Sequence, residues 1–189
     1  MSTIRVSIFE DNKHLRESLY YLINGTDGFT CSGAFADSND LIFQLKKSLP
    51  DVVLMDIEMP LMDGIKTTEL IKNKFPEARI LIITTFDDDE KIFKAILAGA
   101  SGYLLKDEKA NIIQQSIKNI LEGGAAMSAG IALKALYHIK ETYKSPEEMA
   151  PNLLTKRELE LLKAVKDGYV YKQIADMYFI SEGTVRKHI

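Results

Sequence analysis

Acidic, hydroxyl and ammonium side chains follow four short apolar segments of this sequence. They are Glu10 and Asp11 after Ile4–Phe9, Asp56 after Val52–Met55, Thr84 after Ile80–Ile83, and Lys106 after Tyr103–Leu105. Apolar segments bounded by turn residues are typical of buried strands. Side chains that follow parallel strands meet at the carboxyl edge of the sheet, where open α/β folds bind their ligands. We therefore expect these side chains to form one site.

The types of these side chains indicate phosphoryl chemistry on a carboxylate. Closely packed carboxylates such as Glu10, Asp11 and Asp56 repel one another and raise one another's pKa unless a cation lies among them. Oxygen ligands with room for water and phosphate favour Mg²⁺. A carboxylate can also act as a nucleophile and form an acyl phosphate. We predict that Asp56 is this nucleophile, that Lys106 supplies a positive charge, and that Thr84 donates its hydroxyl to a phosphoryl oxygen.

Strand and helix patterns alternate over roughly the first 120 residues. The predicted strands are Ile4–Phe9, Thr30–Ala34, Val52–Met55, Ile80–Ile83 and Gly102–Leu105. The predicted helices are Asn12–Ile23, Asp37–Ser48, Gly64–Lys74, Asp89–Ala98 and Glu108–Glu122. This alternation predicts an α/β fold with a doubly wound, five-stranded parallel sheet and helices on both faces.

The remaining residues change to an all-helical pattern. A further helix is predicted at Ile131–Ile139, and the polar, proline-containing segment Lys144–Asn152 reads as a linker. Thr155 and Glu158 form a capping box that begins another helix, for which Leu159, Leu162 and Val165 supply the predicted apolar face. Two short helices follow, Lys172–Tyr178 and Glu182–Ile189, with Ser181 as the cap of the second. Short helices joined by tight turns predict a small all-α helix-turn-helix domain.

The first part of the chain resembles the receiver domain of two-component response regulators. The resemblance covers about residues 1–125, and we expect the receiver at 1–124. It implies a flavodoxin-like fold with Asp56 as phosphoacceptor and Thr84 and Tyr103 as switch residues. It also implies Mg²⁺ or Mn²⁺ held by Glu10, Asp11, Asp56 and the backbone carbonyl of Glu58. The implied partner is a sensor histidine kinase, and the receiver catalyses its own phosphorylation and dephosphorylation but is not otherwise an enzyme.

The C-terminal part resembles the LuxR-type helix-turn-helix domain, so the whole chain is similar to NarL/FixJ-family response regulators. We expect this domain at 151–189, after a linker helix and linker at 125–150. The resemblance implies a homodimer when phosphorylated, with the last helix in the major groove of an operator. The DNA contacts that it implies are Lys172, Ser181, Thr184, Arg186 and Lys187. Tyr169-Val170-Tyr171 departs from the family's usual small polar residue and Asn. Because Ile189 lies inside the last predicted helix, we expect the natural domain to be longer.

Composition agrees with a regulator that has two kinds of ligand. Formal net charge is −5 for residues 1–151 and +2 for residues 152–189. An acidic front and a mildly basic tail favour a cation in the first domain and nucleic acid in the second. Cys31 is the only cysteine, so no intrachain disulfide forms. No apolar segment approaches the ~18 residues of a membrane span, and we expect a cytoplasmic protein with no membrane contact.

Two other functions stay open from the residues alone. The spacing of Asp56 and Glu58 faintly resembles the nucleophile–acid pair of haloacid-dehalogenase-type phosphatases, although that family has a second Asp and places the pair on its first strand. The turnover of a phosphate ester would support this function. Alternatively, the receiver acts through a protein partner without specific DNA binding, which operator binding by the full-length protein would exclude.

Overall fold

The computed structural model describes residues 3–60, 62–142 and 155–188. Residues 1–139 and 140–189 form two compact units. In the first unit a parallel sheet contains six strands, β1 (Ile4–Phe9), β2 (Phe29–Phe35), β3 (Val52–Met55), β4 (Arg79–Thr84), β5 (Gly102–Leu105) and β6 (Ala126–Met127). Their order across the sheet is β2-β1-β3-β4-β5-β6. The order reverses direction beside β1, so β1 and β3 are neighbours at the switch point where such folds bind ligands.

Helices alternate with the strands, as the sequence predicts. They are α1 (Lys13–Asn24), α2 (Leu41–Ser48), α3 (Gly64–Lys74), α4 (Asp89–Leu97), α5 (Ala110–Leu121) and α6 (Ala129–Thr142). The doubly wound parallel fold is therefore confirmed, with one addition. The two-residue strand β6 pairs with β5 and makes the sheet six-stranded rather than five-stranded, because Gly102 lets the backbone of Ala126 approach closely. A Cβ on Gly102 would lie 2.6 Å from the Ala126 carbonyl oxygen.

Two apolar clusters lie on the two sides of this sheet. One contains Val6, Ile8 and residues of α1 and α5 such as Ile23 and Ile117. The other contains Met55 and residues of α2, α3 and α4. The residues of β3, and most of those of β1 and β4, are buried on both faces, as parallel strands covered by helices require. The edge strand β2 is mostly half-buried.

The helix α6 packs into the second of these clusters. Ile131 and Ala135 are buried there together with Tyr103 and Ile92. At the surface, the Lys134 ammonium lies 2.7 Å from a carboxylate oxygen of Asp87 and also donates to the Asp87 carbonyl. The sequence predicts this helix but assigns it to a linker region at 125–150, whereas its residues up to Ile139 belong to the first unit. The polar segment Lys144–Asn152, which is predicted to be the rest of the linker, lies outside the described residues.

The second unit contains three short helices, α7 (Lys156–Lys166), α8 (Tyr171–Met177) and α9 (Glu182–His188), among its described residues. Both hydrogen bonds of the predicted capping box of Thr155 and Glu158 are present. The cluster between the helices contains Leu161, Ala164, Ile174, Ala175 and Val185.

Two details of the helices differ from the sequence prediction. Of the predicted apolar face of α7, Val165 packs against the cluster between the helices, but Leu159 is 41% exposed. The most buried apolar residues of this helix are instead Leu161 and Ala164. Because five apolar residues occur in this helix, the sequence allows two different apolar faces. The packing of α7 against α8 and α9 determines which of them is buried. In α2, the helix begins at Leu41 rather than Asp37, because the Asp37 carboxylate accepts a hydrogen bond from the Asn39 N–H and forms a turn before the helix.

Candidate functional site

The acidic pair lies in the loop between β1 and α1. Glu10 is 1% exposed, whereas Asp11 is exposed to solvent. Asn12 caps the helix α1 that follows the pair, and its side chain accepts hydrogen bonds from the N–H groups of His14 and Leu15. Arg16, one turn into α1, donates to the backbone carbonyls of Glu10 (2.6 Å) and Asp11 (3.0 Å). The sequence gives no signal for this role of Arg16, which holds the acidic loop against the helix.

Asp56 lies at the end of β3 beside this loop. Its backbone N–H donates to the Phe9 carbonyl at 2.9 Å, and its side chain is 3% exposed. The following loop returns to α3 so closely that a Cβ on Gly64 would lie 1.8 Å from the Asp56 carbonyl oxygen. Glycine at position 64 is therefore a requirement of the contact between α3 and the end of β3.

Lys106 connects the two buried acids. Its ammonium lies 2.8 Å from Asp56 Oδ2 and 2.9 Å from Glu10 Oε2. Burial raises the pKa of Glu10 and Asp56, and the hydrogen bonds to Lys106 only partly oppose this effect. Burial lowers the pKa of Lys106, but its bonds to the two carboxylates raise that pKa more, so the net shift is upward. The ammonium charge is thus held directly on the predicted phosphoacceptor.

Thr84 and Tyr103 are joined through the loop after β4. Both side chains are completely buried. The Phe86 N–H donates to Thr84 Oγ1 at 3.4 Å, and the Tyr103 hydroxyl donates to the Phe86 carbonyl at 2.8 Å. Burial, together with the charges of Asp88, Asp87 and Asp56, raises the pKa of the Tyr103 hydroxyl far above its usual range. The two predicted switch residues therefore contact the same loop residue, Phe86.

The carboxylates form a set suited to a divalent cation. Ligand oxygens of Glu10, Asp11 and Asp56 lie within 4.8 Å of one another. An all-carboxylate set fits a hard cation such as Mg²⁺ rather than a thiophilic metal. The raised pKa values of Glu10 and Asp56 mean that further positive charge would favour their ionised forms. The cluster is thus consistent with a divalent metal site.

A cavity of about 590 Å³ adjoins this cluster. Its lining residues are Asp11, Ile57, Glu58, Met59, Pro60, Asp63 and Lys91. Lys91 comes from α4, and its ammonium lies 3.6 Å from a carboxylate oxygen of Glu58. The position of Lys91 could not be predicted from the sequence, because one lysine in a charged helical turn has no distinctive pattern.

The predicted DNA-contacting residues lie on the surface of the second unit. Lys172, Ser181, Arg186 and Lys187 are exposed, and Thr184 is half-buried. Ser181 caps α9, since its Oγ accepts from the Thr184 N–H at 3.1 Å, as predicted. The two hydroxyls of this pair also lie 2.9 Å apart. Val185 is completely buried in the cluster between the helices, so the two cations that follow it in α9 face solvent.

The residues that depart from the family pattern are also at the surface. Tyr169, Val170 and Tyr171 are 43%, 61% and 38% exposed. At the start of α8, Gln173 accepts a hydrogen bond from the Val170 N–H at 3.1 Å. Among the residues that the structure describes, no helix is long and apolar enough to cross a membrane.

The two units match two different family models. Residues 6–118 match the response regulator receiver domain, and residues 152–189 match the bacterial regulatory proteins of the luxR family. The chain is 37% identical over 190 residues to the uncharacterized transcriptional regulatory protein YxjL of Bacillus subtilis, covering 98% of this chain and 86% of that relative. It is 34% identical over 187 residues to the transcriptional regulatory protein LiaR of the same organism, covering 98% and 87%.

A solved structure supports the same assignment. The response regulator ChrA of a heme-sensing two-component system has 30% sequence identity and a TM-score of 0.61, with 100% of this chain and 87% of that chain covered. Receiver and luxR-family matches in this order confirm both resemblances seen in the sequence. The chain belongs to the NarL/FixJ family of response regulators, in which a receiver domain precedes a LuxR-type helix-turn-helix domain.

Proposed function

We propose that this protein is a transcriptional regulator that is switched by phosphorylation of Asp56. The phosphoryl group comes from a sensor histidine kinase or from a small acyl phosphate. The observation that supports this proposal best is the buried Asp56 carboxylate, which contacts the Lys106 ammonium at 2.8 Å inside a cluster of three carboxylates. A structural ion pair needs one carboxylate, whereas this ammonium contacts two buried carboxylates beside a third.

The proposed cofactor is Mg²⁺, with Mn²⁺ as a substitute. Glu10, Asp11 and Asp56 would hold it through their carboxylates, and the Glu58 backbone carbonyl is the further ligand that the family pattern implies. When bound, the ion neutralises negative charge on the transferred phosphoryl group.

The side chains of the receiver then have separate roles in the transfer. A carboxylate oxygen of Asp56 forms a bond to phosphorus while the bond from phosphorus to the donor breaks, and the donor leaves with the electron pair. The Lys106 ammonium, already 2.8 Å from Asp56, attracts a phosphoryl oxygen. Thr84 donates its hydroxyl to another. The receiver supplies these groups itself, so it catalyses both its own phosphorylation and the later hydrolysis of the acyl phosphate.

The loop after β4 connects phosphorylation of Asp56 to a change at the receiver surface. A Thr84 hydroxyl that turns to a phosphoryl oxygen leaves the Phe86 N–H, and Tyr103 is hydrogen-bonded to the carbonyl of the same residue. Tyr103 is already buried without a phosphoryl group, so we expect phosphorylation to stabilise this inward position. The change biases the surface around α4 and β5 toward a homodimer.

The dimer then presents two helix-turn-helix domains to two half-sites of an operator. Lys172, Ser181 and Thr184 would contact phosphates, and Arg186 and Lys187 would approach bases and backbone from α9. The support is that four of these residues are exposed and Thr184 is half-buried on one small domain that matches the luxR family, together with relatives that are transcriptional regulatory proteins. Because its proposed ligand is DNA, we expect the protein to act in the cytoplasm.

The phosphoacceptor is tested with the full-length protein, acetyl phosphate and Mg²⁺. We expect wild type to gain one acid-labile phosphate, seen as retarded migration in a phosphate-binding gel, and Asp56→Asn to gain none. The matched control is Asp27→Asn, which should behave as wild type. Asp27 is exposed and precedes β2, at the amino ends of the strands and away from the carboxyl edge that carries Asp56. Phosphate uptake by Asp56→Asn at the wild-type rate would refute the assignment.

A further inference from the structure

Lys91 places a positive charge in the cavity that adjoins the carboxylate cluster. It lies in the first turn of α4, where its backbone N–H donates to the Asp88 cap at 2.9 Å. Its ammonium lies 3.1 Å from the centroid of the Phe86 ring and 3.6 Å from a carboxylate oxygen of Glu58. Phe86 is two residues after Thr84, and Glu58 is two residues after Asp56. The Lys91 charge is thus held between the two loops that follow β3 and β4.

The cavity beside the acidic cluster is strongly negative apart from this lysine. Of its seven lining residues, Asp11, Glu58 and Asp63 are acidic and Lys91 alone is basic. Asp11 belongs to the carboxylate cluster that includes Asp56. A phosphodonor that reaches Asp56 through this space therefore meets like charge, because small phosphodonors are anions. Lys91 is placed to offset that repulsion.

The contacts of Lys91 leave its ammonium available to a ligand. Its partner Glu58 has a side chain that is 66% exposed, and exposed ion pairs at such distances are weak. The Phe86 ring adds a cation–π contact to the same ammonium. In contrast, Lys106 is fixed by two carboxylates that are each at most 3% exposed. Lys91 can therefore exchange its weak partner for an incoming phosphate more readily than Lys106 can exchange its two buried partners.

We infer that Lys91 is a donor-binding residue of the receiver. Its ammonium exchanges Glu58 for the phosphate group of a small anionic acyl phosphate and holds that donor in the cavity. In the transfer, a bond forms between phosphorus and an Asp56 carboxylate oxygen while the bond from phosphorus to the acyl oxygen breaks. The donor leaves as a carboxylate with the electron pair, and Lys91 keeps its protons. This inference rests on the proposed phosphorylation of Asp56, and it adds a residue that determines how well small phosphodonors bind.

The test measures initial rates of phosphorylation against acetyl phosphate concentration with Mg²⁺. The full-length proteins are wild type, Lys91→Gln, Lys91→Arg and Lys94→Gln. Lys94 lies on the same helix, is 57% exposed and pairs with Glu90, so it is the matched control. We expect Lys91→Gln to raise the half-saturating concentration about tenfold with little change in limiting rate, as the loss of one charged hydrogen bond implies. Lys91→Arg should restore most of the affinity, and Lys94→Gln should match wild type.

Salt separates an electrostatic role from a structural one. The difference between wild type and Lys91→Gln should shrink at high ionic strength, because screening weakens the attraction between the ammonium and the donor. An unchanged half-saturating concentration in Lys91→Gln would overturn the inference, and so would a fall in limiting rate alone. If wild type shows no phosphate uptake that depends on Asp56, the proposed function fails as well. If wild type shows Asp56-dependent uptake and Lys91→Gln has the same half-saturating concentration, only the role of Lys91 fails.

Discussion

Lys106 is the residue on which the charge balance of the site depends. It contacts Asp56 and Glu10, both almost fully buried, at 2.8 and 2.9 Å. Burial already raises the pKa of both carboxyls with the ammonium in place. Removal of the ammonium leaves two buried carboxylates without their shared cation, and an uncompensated buried charge is strongly destabilising.

We therefore predict that Lys106→Met lowers the free energy of unfolding by about 3 kcal/mol at pH 7.5 in the absence of divalent metal. The loss should be smaller at pH 5. A carboxyl whose folded pKa is raised is stabilising below its unfolded pKa, and that stability is lost as pH rises through the folded pKa. Urea unfolding at the two pH values measures this. A loss that is independent of pH would contradict the proposed charge balance, and Lys94→Met, on an exposed pair, is the control.

At the scale of elements, the approach of α3 to β3 positions Asp56. The Asp63 side chain caps α3 by accepting from the Ile65 and Lys66 N–H groups, and Gly64 then contacts the Asp56 backbone. A Cβ at position 64 would overlap the Asp56 carbonyl oxygen at 1.8 Å. Backbone on both sides of this contact leaves no flexible side chain to move away.

Gly64→Ala should therefore destabilise the receiver by about 1–3 kcal/mol and slow phosphorylation of Asp56, because the loop must shift to admit the methyl group. The matched control is Gly130→Ala in α6, where an added Cβ meets no atom within 4 Å. We expect that variant to keep wild-type stability or to gain slightly, since alanine is the better helix former. Urea unfolding and phosphate uptake measure both effects. Equal behaviour of the two variants would show that the close contact at position 64 is unimportant.

The elements of the fold determine how much of the site can be predicted from the sequence. Strand ends carry Glu10, Asp56, Thr84 and Lys106, and parallel strands bring such residues to one edge whatever the details of packing. Local patterns do not report the partner of a helix. The pattern of α6 predicts a helix but not that Ile131 packs beside Tyr103. Contacts between loops, such as that of Lys91 with Glu58 and Phe86, depend on tertiary structure and have no signature in the sequence.

For the whole molecule, two units of different charge have different ligands in this account. The receiver is acidic and contains the carboxylate cluster proposed to bind the cation and the phosphoryl group, while the second unit presents Arg186 and Lys187 from α9 to solvent. Phosphorylation-dependent dimerisation would couple the two units, because a dimer binds two half-sites of DNA more tightly than a single domain binds one. A receiver that acts only through a protein partner would instead leave DNA affinity unchanged on phosphorylation.

The most direct test is the mass of the full-length protein in solution by light scattering after size exclusion. Samples contain Mg²⁺ with or without acetyl phosphate, and wild type is compared with Asp56→Asn. We predict that the mass doubles only for phosphorylated wild type. A mass that stays monomeric while Asp56 demonstrably carries phosphate would contradict phosphorylation-dependent dimerisation, as would a doubled mass for Asp56→Asn.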